Sequence, residues 1–174
     1  MMIDARAAQQ ATVYYLGLAE LVEARLAASP KYKYAVDGLD AAWRWVEQRD
    51  ISGAALADMF YDEEGFGVGA SMAVEKNTDL LPVWGCVAMG VVFAALAASL
   101  AEGKSPNQIR EDIYGVDSDE SVQDFSDWFS SIIPLESVTD KYRMALDGLP
   151  EEDIARSSVR GLAFAALHAA ATHD

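Results

Sequence analysis

The sequence predicts an all-α protein in which seven or eight helices pack around a buried apolar central helix at about Pro82–Ala101. Three observations predict it. Leu80 to Ala101 runs 22 residues without a charge, in a chain carrying 13 Lys and Arg against 28 Asp and Glu. The segments before and after it place apolar residues at three- and four-residue spacing, which puts them on one helical face. No segment alternates apolar and polar residues as a half-buried strand would.

A helix that is apolar all round must be enclosed by protein or by lipid. By length, LLPVWGCVAMGVVFAALAASLA could cross a bilayer. Its flanks argue for protein. Lys76 and Lys104 stand singly at the two ends beside Asp79 and Glu102, so no positive cluster sets an orientation. Trp84 is the only ring placed to anchor an interface. The amphipathic helices on both sides also need an apolar partner, and a core helix supplies it. A single-span membrane protein stands as the alternative.

Taken in order, Ala5–Ala28 is rich in Ala, Leu, Glu and Arg and presents Tyr15, Leu18, Val22 and Leu26 on one face. Ser29-Pro30 ends that helix, since proline disfavours helical geometry in the residue before it. A second helix is expected over Lys33–Gln48, burying Val36, Leu39, Trp43 and Val46. Ser52 caps a short helix to Phe60, carrying Leu56, Met59 and Phe60. An acidic turn, Asp62-Glu63-Glu64, leads into GFGVGAS, which reads as a flexible loop. Met72–Lys76 adds a helical turn before the central helix, where Pro82 suits the first turn and Gly103 closes the end.

Ser105-Pro106 restarts a helix expected to reach Tyr114, and Gly115 stops it. Ser121-x-x-Asp124 resembles a capping box for a helix bearing Val122, Phe125, Phe129 and Ile132, broken at Pro134. Leu135, Val138, Tyr142, Ala145 and Leu149 define the next helix. Pro150 with Glu151, Glu152 and Asp153 opens the last one, which runs to about Ala170 with Val159, Leu162, Ala163 and Ala166 inward.

At 174 residues the chain fits a single helical domain, residues 1–174, with a substantial core. Its net charge of −15 repels nucleic acid and anionic lipid and favours basic partners, though it also serves solubility alone. Cys86 is the one cysteine, so no internal disulfide can form. MMIDARAAQQ lacks the continuous apolar stretch of a secretion signal, which makes a cytoplasmic location the expectation.

Catalytic constellations are not found. The two histidines, His168 and His173, lie near the C-terminus, and no His-Glu-x-x-His or carboxylate-x-x-His pairing occurs. The run from Asp117 has Val122 and Trp128 where a calcium loop needs glycine and glutamate. Gly65, Gly67 and Gly69 follow no strand and precede no Lys-Ser/Thr pair, so they do not form a phosphate loop. Cys86 sits in apolar surroundings far from any histidine, and no serine lies in a Gly-x-Ser-x-Gly elbow. No metal or cofactor is called for.

What stands out is how the acid is distributed. Glu111, Asp112, Asp117, Asp119, Glu120, Asp124 and Asp127 fall within 17 residues without one Lys or Arg. Asp50 to Glu64 holds five more, again unopposed in sequence. Such clusters suit electrostatic capture of a basic protein, while a merely solvated face is the plainer reading. Tryptophan among charges makes a good interface anchor or the edge of a core, and Trp45 and Trp128 fit both. The candidate partner-binding residues are therefore Asp62, Glu63, Glu64, Asp117, Asp119, Glu120, Asp124, Asp127 and Trp128.

Leu39-Asp40-Ala41-Ala42-Trp43-Arg44-Trp45, then Ser52-Gly53-Ala54-Ala55-Leu56, an acidic turn and a long apolar helix form a further pattern. Over about Tyr34–Gly103 it resembles the all-α immunity proteins of bacterial polymorphic-toxin systems of the contact-dependent inhibition type. That resemblance implies a non-enzymatic inhibitor that binds a cognate toxin domain, often a nuclease, and blocks it inside the producing cell. It carries over no contact residue, because such families vary most at their binding surfaces. A small helical enzyme using carboxylates or a bound metal is the other class.

Overall fold

The structure is a computed structural model that describes residues 3–116, 118–135 and 137–172. Among these, nine α-helices and no strand are present: α1 (Ala5–Val22), α2 (Tyr32–Gln48), α3 (Gly53–Phe60), α4 (Val68–Val74), α5 (Leu81–Ala101), α6 (Glu111–Tyr114), α7 (Asp119–Ile132), α8 (Ser137–Asp147) and α9 (Arg156–Ala171). Helix α6 is a single turn, which leaves eight of seven residues or longer.

Helix α5 is the centre. Seventeen of its 21 residues are buried, so protein covers most of its apolar surface. Helices α1, α2, α3, α4 and α7 all pack on it. Small residues make this crowding possible. A Cβ on Gly90 would come within 2.9 Å of Leu16 Cδ2 and 3.5 Å of the Leu16 backbone, so α1 crosses α5 at backbone-contact range there. Rings then tie α1, α5 and α7 together: Tyr15 stacks on Phe93 at 4.7 Å and meets Phe125 edge-on at 4.6 Å. Cys86 lies inside this core, and burial pushes its thiol up to about 12.

The local chemistry explains the boundaries. Asp4 caps α1 by accepting from Ala7 N at 2.8 Å, and Ser52 caps α3 by accepting from Ala55 N at 3.1 Å. Helix α1 buries far more than one stripe, because α5 lies against one side of it and α9 and α2 against others. Its last turn tightens to a 3-10 helix over Glu23–Ala28 before Ser29-Pro30.

Four expected boundaries move. The glycine segment is helical sooner than expected. Gly67, at φ +112, turns the chain so that α4 starts at Val68, and α4 ends at Val74 instead of continuing through Lys76. The helix expected from Pro106 to Tyr114 divides into a 3-10 turn, Pro106–Gln108, and α6. Helix α7 begins before the anticipated capping box: Ser118 is the N-cap, accepting from Ser121 N at 3.2 Å. Pro150 opens a 3-10 turn over Glu151–Asp153, and α9 starts only at Arg156.

That delayed start serves a buried ion cluster. The Glu20 side chain on α1 is fully buried; its Oε1 accepts from Trp43 Nε1 at 2.9 Å and from Arg156 Nε at 2.7 Å. Arg156 also reaches Asp40 through Nη1, and its backbone N donates to Glu47 Oε1 at 2.8 Å. The first residue of α9 is thereby fastened to α1 and α2 at once.

Candidate interface

A groove of about 280 Å³ opens beside α5, bounded by α3, α4, α6 and α7. Its floor is Gly85, Ala88, Met89 and Val92 of α5, and its walls include Phe60, Met72, Val116 and Trp128. Among the described residues, carboxylates and a hydroxyl enter through Glu111, Asp124 and Ser121. Helical periodicity accounts for the α7 side. Ser121, Asp124 and Trp128 are spaced three and four residues apart and share a face. Phe125, Phe129 and Ile132 turn into the core on one side of that face, and Glu120 and Asp127 lie on the other.

Trp128 is half-buried: its indole lies on α5 over Gly85 and forms one wall of the groove. Trp45, by contrast, is only 3% exposed, with the Arg49 guanidinium over its ring at 4.0 Å, and is part of the core. Asp119, Glu120, Asp124 and Asp127 are exposed along α7. Of these, Asp127 accepts from Gln123 Nε2 at 2.8 Å. Asp117 lies outside the described residues.

The other acidic segment is less unopposed in space than in sequence. Arg44 pairs with Asp50, and Arg110 donates to Asp58 Oδ1 at 3.1 Å and to the Tyr61 carbonyl at 2.6 Å. Asp62 is committed to the turn itself, its Oδ1 accepting from Glu64 N at 3.0 Å and Phe66 N at 2.7 Å. Glu63 and Glu64 project from that turn and are exposed.

Sequence reasoning missed the apolar part of this face. Met59, Tyr61, Phe66 and Val122 remain 40–45% exposed, the first three flanking the Asp62 turn. Phe66 between two glycines was the available signal, since a large ring in a glycine loop has few ways to reach the core. That Phe60, Met72 and Glu111 meet at one groove carried no signal, because only the packing of α3, α4 and α6 on α5 brings them together.

Arg110 bridges the α3–α4 turn to the connection preceding α7, and Phe60 shares the groove with Asp124 and Trp128. One acidic segment thus lines this apolar depression through Glu111 and Asp124, and the other reaches it through Phe60. Among the described residues no three His, Cys, Asp or Glu side chains cluster as a metal site would require.

The family model for immunity protein Imm6 matches residues 10–133. The chain belongs to the Imm6 immunity protein family. It is therefore an immunity protein of a toxin system, whose partner is a cognate toxin and whose family generally acts without catalysis. No curated protein and no solved structure matches the chain. The Imm6 match runs from within α1 to the end of α7 and takes in every described residue lining the groove. Helices α8 and α9 lie beyond it.

A larger cleft, about 480 Å³, lies between α1 and the α8–α9 connection and is lined in part by Arg6, Gln9, Tyr14, Arg143, Asp147 and Glu151. Its charges are of both signs, and Arg6, Arg143, Asp147 and Glu151 fall outside the Imm6 match. Neither size nor charge marks it as the better interface.

Proposed function

We propose that this Imm6 protein neutralises a toxin with a basic surface, such as a nuclease, by presenting the face formed by α7 and the α3–α4 turn. The observation that carries the proposal is an apolar groove lined by Glu111, Asp124 and Trp128 from one acidic segment and by Phe60 from the other, in a chain of net charge −15. Glu63, Glu64, Asp119, Glu120, Asp124 and Asp127 steer the encounter, since opposite potentials raise association rates and reject like-charged partners. Trp128 supplies the central contact, because half-buried tryptophans set among polar residues make strong anchors. Asp62 acts indirectly, by holding the turn that carries Glu63 and Glu64. Docking across this face blocks the toxin's own site.

Co-expression tests the proposal. The toxin domain encoded beside this chain arrests growth when expressed alone, and the intact protein relieves the arrest and co-purifies with it. A variant with Asp119, Glu120 and Asp124 changed to Lys then protects poorly at low ionic strength. Full protection and undiminished association by that variant would remove the acidic face from the account.

A further inference from the structure

The groove specifies more about its occupant than charge. At about 280 Å³ it falls below the roughly 300–1,000 Å³ of small-molecule sites. Among the described residues its depth offers one hydrogen-bonding side-chain group at most, the Trp128 indole N–H: the floor is Gly85, Ala88, Met89 and Val92, and Phe60, Met72, Val116 and Trp128 close the walls. The Ser121 hydroxyl at its edge is already engaged, lying 2.9 Å from Ser118 Oγ. A polar group placed inside would lose more water contacts than these side chains replace. The mouth is the reverse, with Glu111 and Asp124 on the lining and Glu120 and Asp127 on the adjacent face of α7.

We infer that the groove receives one large apolar side chain of the toxin, of leucine to phenylalanine size, carried between lysine or arginine residues that meet the acids at the mouth. This rests on the proposed docking face and adds the chemistry of the segment that enters it. The apolar residue sets how long the complex lasts, because a desolvated anchor governs dissociation; the basic flanks set how fast it forms.

Gly115 permits a test that spares the fold. It lines the groove, its φ is −86, and a Cβ there would meet nothing within 4 Å. Gly115→Leu therefore places a bulky apolar side chain at the lip of the groove, in the path of an incoming residue, without a clash, and Gly115→Ala serves as the control. The full-length protein is bound to the toxin domain encoded beside it, and association and dissociation are measured separately. Gly115→Leu is expected to leave thermal stability and association rate unchanged and to speed dissociation by about tenfold or more, with Gly115→Ala close to the parent. Parent-like dissociation of Gly115→Leu overturns the anchor. If the Asp119, Glu120 and Asp124 reversal still slows association in that case, the acidic docking face survives without it; if both variants behave as the parent, both fail.

Discussion

The indole of Trp128 lies across the face of Gly85: a Cβ on that glycine would come within 2.3 Å of indole Cε3 and 2.7 Å of Cδ2. Position 85 therefore has to lack a side chain for the groove wall to exist. Gly85→Ala should expel the indole and destabilise the fold by about 1–3 kcal/mol, as overpacking does. Trp43, Trp45 and Trp84 are buried, so a red shift of tryptophan emission in this variant would report Trp128 moving into water. Unchanged emission with full toxin binding would mean the indole is not held there.

The Arg156 contact with Glu20 joins the C-terminal helix pair to the rest. Arg156→Met leaves the Glu20 carboxylate buried with Trp43 Nε1 as its hydrogen-bond donor and with Arg160 Nη1 at 3.7 Å. Removing one partner of a buried pair typically costs about 3–5 kcal/mol, and the proximity of Arg160 places this case near the lower figure. Adding Glu20→Gln removes the stranded charge while keeping an acceptor for Trp43, so the double variant should regain much of the loss. Denaturant midpoints of the two single variants and the double variant check this coupling.

The acids near the groove divide into two kinds. Asp62 organises its turn, so Asp62→Ala, which removes the acceptor, should lower stability and disturb the Phe66 turn, whereas Asp62→Asn keeps it. Glu63→Gln with Glu64→Gln should leave stability within about 0.5 kcal/mol of the parent and slow toxin association at low salt only. Association measured at two ionic strengths separates the two roles.

Glu75 gives the fold an acid-sensitive point. The Asn77 backbone N–H, then Trp84 Nε1, with Ser29 Oγ and Lys76 N, hold its carboxyl below the usual 4.5. A depressed carboxylate contributes stability above its unfolded value and loses it as the pH falls through the folded value. Glu75→Gln should therefore lower the melting temperature at about pH 7, with the difference shrinking as the pH falls below the usual 4.5 and through the lower folded value. A difference that persists unchanged in acid would show that the charge is not the stabilising feature.

Much of this was legible in the sequence. The charge-free run around Gly85 and Gly90 could only be a core helix or a span, and the periodic faces on both sides favoured a core. Trp43 and Phe125 fell on those faces and are buried as expected. Local signals erred where tertiary contacts decide: α9 starts at Arg156 because that residue answers Glu20, 136 positions away. Gly67 stands in a glycine-rich stretch that reads as loop, yet its positive φ is what launches α4. The acids were visible but their partners were not, since Arg110 meets Asp58 across 52 residues. Trp128 was singled out without the means to see Gly85 beneath it.

The methionines offer the most direct test of the docking face. Met72 and Met89 line the groove, while Met144 is 76% exposed on α8, beyond the Imm6 match. With methyl-labelled full-length protein and the toxin domain encoded beside it, the Met72 and Met89 resonances should shift and the half-buried Met72 should lose access to a soluble relaxation agent, while Met144 stays unchanged. Protection of Met144 with Met72 and Met89 unmoved would place the toxin on the α8 side and contradict the account.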